Sequence, residues 1–210
     1  MVSWFKEEFG KAEEAIAKTR GITAEEIFEE MAKTVPPGSL GLTVQPYWSP
    51  GLRFPGLTAK GSMIGFGSAH RKEHIYRAIL EGLAYALRHG KELLEKKSSQ
   101  KIDEVIVTGG GSKSDLMMQI SADVLGIDTI RPKHSETSGL GSAILTAVGT
   151  GIWDSYDVAL EKMTERGERF EPIADNVILY EQLYSDVYRR IYPQLGRIFN
   201  SIKRITNYPA

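Results

Sequence analysis

The sequence predicts an α/β fold, and three observations carry that prediction. Residues 103–150 alternate strand, helix, strand and helix, the order that builds a sheet covered by helices. A run of three glycines, Gly109, Gly110 and Gly111, joins the strand at 103–108 to the helix at 112–125. Ahead of them, residues 71–96 place Ile75, Ile79, Leu83, Leu87 and Leu94 near helical spacing, which marks one apolar face.

The elements follow in order. Residues 2–18 interleave apolar and charged positions as one amphipathic helix, entered with no lead-in. Residues 23–33 form a second helix, with Thr23 as N-cap and Glu26 three residues on as its capping-box partner. The stretch VPPGSLG at 35–41 ends it, because two prolines and two glycines cannot continue a helix. LTVQPYW is a short strand, 49–61 a loop rich in Pro and Gly, and SMIGF a further strand. In the helix at 71–96, Ala78, Gly82, Ala86 and Gly90 recur every four residues. Such a row lets another backbone approach closely, so this helix is expected to be central. After the glycines come helix 112–125, a strand at 128–131, helices 137–150 and 156–165, and a long helix at 176–205 expected to kink or break at Pro193. No repeat or linker divides the chain, and 1–210 reads as a single domain.

Composition excludes several classes. A net charge of -1 gives no global field toward nucleic acid or an anionic membrane. The chain has no cysteine, which removes disulfides, thiolate metal sites and cysteine nucleophiles, and is compatible with a cytoplasmic location. No apolar run approaches the ~20 residues that span a bilayer.

The glycine turn is the candidate binding element. A helix N-terminus carries unpaired N–H groups and roughly half a positive charge, which suits a phosphate or another polar edge. Glycines before it let a ligand approach without meeting a Cβ. Ser112 and Ser114 add hydroxyls at the helix start. The run is not a P-loop, since no G-x-x-x-x-G-K-[ST] can be written through it, and it lacks the spaced third glycine and the acidic residue of a dinucleotide fingerprint. On spacing alone, a tight turn with no ligand is an equal alternative.

The surroundings extend the pattern. VTGGGSKSDLMMQISADVLG (107–126) resembles the adenosine-motif segment of the FGGY carbohydrate kinases, the family of glycerol kinase and xylulose kinase. HRKEHIYRAILEGLAYALR (70–88), RPKHSETSGLGSAILTAVGTGIW (131–153) and PYWSPGLRFPGLTAKGSMIGF (46–66) resemble the family's neighbouring segments in the same order, and VSWFKEE resembles its opening helix. The resemblance covers roughly 1–170. It implies the actin-like ATPase (ribonuclease H-like) fold, and makes this chain the C-terminal half of a sugar kinase that moves the γ-phosphate of ATP, with Mg2+, to a ketose or polyol.

Carried over by position, Gly110 lies against the nucleotide, with Gly109 and Gly111 shaping the turn. Ser114 stands where glycerol kinases place a nucleotide-contacting asparagine, and Ser3 where their opening helix supplies a glutamine near ATP. Arg53 sits in the loop that resembles the xylulose kinase stretch carrying an arginine near the substrate cleft, although a surface salt bridge that tethers the loop is the plainer reading. None of the eight aspartates is followed by x-G-[ST]. The family's catalytic aspartate and both phosphate turns are therefore expected in an N-terminal domain absent from this chain and supplied in cis or in trans. No catalytic residue is assigned here, and a homodimer stays open as an assembly.

Two other readings stand beside this one: a non-catalytic nucleotide- or partner-binding module, and an unrelated α/β protein whose GGG is only a turn. His70 and His74 are one helical turn apart, but HRKEH is not a zinc motif, and a capping or solvated pair is the simpler expectation. Tyr180, Tyr184, Tyr188 and Tyr192 form a stripe expected to pack the last helix on its own domain. Glu81, set among small residues, needs a cation or an N–H if it is buried.

Overall fold

A computed structural model describes residues 1–48, 55–133 and 136–208. The opening helix is two helices, α1 (Val2–Phe9) and α2 (Lys11–Arg20). The break falls at Gly10, where a Cβ would lie 2.4 Å from the Lys6 carbonyl oxygen. The expected single helix over 2–18 is corrected there. Helix α3 (Ala24–Lys33) begins as predicted. The Thr23 hydroxyl accepts from the Glu26 N–H, and the Glu26 carboxylate accepts from the Thr23 N–H.

After α3 the chain makes a left-handed turn in which Gly38, Ser39, Leu40 and Gly41 all have positive φ. It leads into a hairpin of β1 (Thr43–Gln45) and β2 (Ser62–Ile64), antiparallel with Val44 opposite Met63. Helix α4 (Lys72–Ser98) crosses this hairpin. The small-residue row works at one point. A Cβ on Gly82 would lie 2.3 Å from the Val44 carbonyl oxygen, whereas Gly90 has nothing within 4 Å. The predicted apolar face likewise buries only the first half of α4: Ile79 is fully buried, and Leu87 and Leu94 are exposed.

The second sheet is mixed, in the order β3 (Glu104–Ile106), β4 (Asp128–Arg131), β5 (Glu168–Phe170). β3 and β4 are parallel, with Ile106 beside Ile130, and β5 runs antiparallel to β4. Helix α5 (Asp115–Leu125) follows β3 and packs on α4, burying Met118, Ile120 and Val124. Helices α6 (Thr137–Gly149) and α7 (Tyr156–Met163) follow β4. The sequence reading missed β5.

The C-terminal helix departs from expectation in an instructive place. It runs as α8 (Ala174–Gln182), a π-helical segment (Leu183–Tyr188) and α9 (Arg189–Thr206), which passes through Pro193. The helix therefore loosens upstream of the proline, over the residues that bury Tyr184 and Tyr188. The tyrosine stripe packs as predicted. Tyr180 donates to Glu81, Tyr184 donates to Glu92, and Tyr192 donates to the Pro55 carbonyl oxygen.

Glu81 has the partners its burial demands. Its carboxylate accepts from the Gly38 N–H at 2.9 Å, the Ser39 hydroxyl at 2.9 Å, the Arg77 guanidinium at 2.9 Å and the Tyr180 hydroxyl at 2.8 Å. Through these partners it ties the left-handed turn to α4 and α8. Among the described residues, no helix is long and apolar enough to cross a membrane.

Candidate nucleotide site

The site is built where β3 hands over to α5. Gly109 has φ 83° and ψ −166°, a region that is essentially glycine's own. It turns the chain into a short 3-10 segment, Gly110–Lys113, so the expected helix over 112–125 is in fact this segment followed by α5. The Ser112 hydroxyl is buried and donates to the Gly109 carbonyl oxygen at 2.8 Å, locking the turn from within.

Ser114 is the N-cap of α5, and its oxygen accepts from the Met117 N–H at 3.1 Å. A hydroxyl that accepts in this way keeps its own proton to donate elsewhere. The next amide is also occupied: the Leu116 N–H donates to a Glu29 carboxylate oxygen at 3.2 Å. Glu29 in turn pairs with Lys33 at 2.8 Å. The partial positive charge of this helix end thus already faces a protein carboxylate.

In front of the turn the space is open. A Cβ added to Gly109, Gly110 or Gly111 would meet no atom within 4 Å. Gly110 and Ser114 line a cleft of about 490 Å³, together with Thr23, Glu25, Glu26 and Glu29 from the start of α3, Tyr76 from α4, and Lys113. Three carboxylates and one ammonium give this cleft an acidic wall. Lys6 reaches across from α1 to pair with Glu25 at 2.8 Å. The Tyr76 phenol is 4% exposed and stacks on Phe28. Burial first, then the Glu25 and Glu29 charges, push its pKa well above that of an ordinary tyrosine, so it is a neutral donor at any physiological pH.

The predicted site residues separate into three groups. Gly110 and Ser114 line the cleft, while Gly109 and Gly111 shape the turn beside it. Ser3 lies exposed on α1 and is not among the lining residues. Arg53 lies outside the described residues. The sequence reading missed the α3 wall, Tyr76 and Lys113. In the sequence Thr23 and Glu26 read only as a cap, and no spacing signal ties 23–29 to 110–114.

His74 caps α4, its Nδ1 accepting from the Arg71 N–H, while His70 lies ahead of the helix and its Nδ1 accepts from the Gly67 N–H in the preceding turn. Among the described residues, no three His, Asp or Glu side chains are grouped to hold a metal ion. The open turn and the polar cleft fit the nucleoside end of a nucleotide.

A mixed sheet flanked by helices, with a bare turn opening onto a cleft between two of its helices, has the architecture of the actin-like ATPase fold. The family profile described as "FGGY family of carbohydrate kinases, C-terminal domain" matches residues 1–150. The xylulose kinase of Lactococcus lactis is 33% identical over 204 residues, which cover 96% of this chain and 38% of that protein. Glycerol kinase 2 of Saccharolobus solfataricus is 39% identical over 153 residues, 69% of this chain and 29% of that protein. Among solved structures, the xylulose kinase from Rhodospirillum rubrum superposes with a TM-score of 0.75 at 27% identity, covering 95% of this chain and 38% of that one. The chain belongs to the FGGY family of carbohydrate kinases. It spans less than two-fifths of the length of these relatives.

Proposed function

We propose that this chain is the nucleotide-binding domain of an ATP-dependent carbohydrate kinase, which transfers the γ-phosphate of ATP to a hydroxyl of a ketose or polyol. The observation that carries this is the empty space before Gly110 and Gly111, two glycines without positive φ whose missing side chains nothing in the fold requires. The acidic wall of the cleft and the self-capped α5 argue for the nucleoside end of ATP inside it, with the phosphates directed away. The spare proton of Ser114 is a donor for that end.

The catalytic base, the phosphate turns and the Mg2+ ligands are assigned to an N-terminal domain supplied in cis or in trans. In that assembly this chain binds and orients the nucleotide while the other domain presents the acceptor. The similarity to xylulose kinases along nearly the whole chain favours a xylulose-like acceptor, and a cytoplasmic setting belongs to the same proposal.

Amide exchange with and without Mg-ATP tests it. Protection is expected across 107–119, and Gly110→Val should abolish it while leaving the melting temperature within about 1 °C, because the new side chain enters open space. Equal protection in wild type and variant would overturn the assignment.

A further inference from the structure

The cleft contains a polar group for which the fold supplies no partner. Tyr76 is 4% exposed, its ring is held in the core by Phe5 and Phe28, and it lines the cleft opposite Gly110 and Ser114. Among the described residues no hydrogen bond reaches its hydroxyl, although the Glu25 and Glu29 carboxylates are close enough to act on it electrostatically. The phenol oxygen opens into the cleft rather than being sealed in the core, and a phenylalanine would fill the same core position without presenting a donor there. Both carboxylates are engaged elsewhere, Glu25 with Lys6 and Glu29 with Leu116 and Lys33.

Given the nucleotide reading above, on which this rests, we infer that the Tyr76 hydroxyl is a specificity contact for a ribose hydroxyl of the bound nucleotide. The chemistry of the wall selects the group. A neutral phenol offers a proton, and the carboxylates around it offer only acceptors. The ligand atom that fits between them must accept from the phenol and donate to a carboxylate at once. A ribose hydroxyl does both. A purine ring nitrogen only accepts, and an exocyclic amine in effect only donates. Acidic side chains meet ribose diols in the same way in dinucleotide-binding folds. Tyr76 would thus reward the 2′ or 3′ hydroxyl and make the site discriminate ribonucleotides from their deoxy counterparts.

The test is a double-substitution cycle. Calorimetric titrations of wild type and Tyr76→Phe are run with Mg-ATP, 2′-deoxyATP and 3′-deoxyATP. Tyr76→Phe should weaken ATP by roughly five- to tenfold, the loss of one hydrogen bond. It should change nothing for the deoxy analogue that lacks the hydroxyl in contact. The melting temperature of Tyr76→Phe should be equal to or above that of wild type, since no protein hydrogen bond is lost. If Tyr76→Phe binds ATP as tightly as wild type, the contact is absent. If it weakens both deoxy analogues as much as ATP, the phenol meets another part of the nucleotide, and the ribose assignment falls. If wild type binds none of the three, the nucleotide reading itself fails, and this inference fails with it.

Discussion

Two glycine-rich turns in this chain look alike in sequence and differ in kind. In GSLG, at 38–41, the glycines are used by the fold. Gly38 and Gly41 have φ of 82° and 87°, and a Cβ on Gly38 would lie 2.9 Å from Leu183 Cδ1. The turn is closed from inside by Glu81 through the Gly38 N–H and the Ser39 hydroxyl. In GGGS, at 109–112, only Gly109 has positive φ, and none of the three glycines touches anything with its missing side chain. The first turn needs both its glycines for their positive φ, the second only Gly109. Open space alone does not mark a site, since Gly90 has it too; at 109–111 it coincides with a cleft that Gly110 lines.

Four substitutions sharpen this contrast. The largest effect should come from Glu81→Leu. It strips the buried carboxylate from the first turn and leaves Arg77 buried without its ion pair, a loss of about 3–5 kcal/mol. Urea denaturation should show it, and a loss under 1 kcal/mol would mean that the turn holds itself. Next is Gly109→Ala, expected to cost about 1–3 kcal/mol through backbone strain. Gly110→Ala, in the same unfolding assay, should cost less than about 1 kcal/mol. Equal losses would sink the distinction between a glycine needed for φ and one needed for space. The smallest effect is a gain. Leu40 is an exposed leucine at φ 53°, where an L-residue carries strain of about 1–2 kcal/mol. Leu40→Gly should therefore raise stability by up to about 1 kcal/mol, once the added freedom of the unfolded chain is set against the relief.

What could be read from sequence was what local rules encode. The Thr23–Glu26 box lies within one helical turn, so its chemistry is visible in four letters. The strand–glycine–helix order around 103–125 is equally local, and the family resemblance extended it to the whole fold. Other features were invisible for identifiable reasons. β5 is the three-residue strand Glu168–Phe170, two of them charged, with no alternation to detect. The break at Gly10 is set by contact with the Lys6 carbonyl, and an isolated glycine in a helical pattern does not announce it. Half of the candidate site was hidden because it is assembled across long separations. Leu116 and Glu29 meet 87 positions apart, and the stretch 23–29 had already explained itself as a cap. Burial of Glu81 could be suspected from its neighbours, but its partners at Gly38 and Tyr180 could not.

The tyrosine stripe of the C-terminal helix also bears on the timing of synthesis. Tyr180 bonds Glu81 across 99 positions, Tyr184 bonds Glu92 across 92, and Tyr192 reaches Pro55 across 137. The segment that matches the family profile ends at residue 150, so all three of these closures lie beyond it. On the ribosome, α4 and its buried charge pair emerge first and wait for a hydroxyl about one hundred residues behind them. At ordinary elongation rates that interval is roughly 5–20 seconds, during which the apolar face of α4 has no C-terminal cover. The core around α4 is thus completed by the segment from Tyr180 to Tyr192, which is synthesised well after the helix it covers.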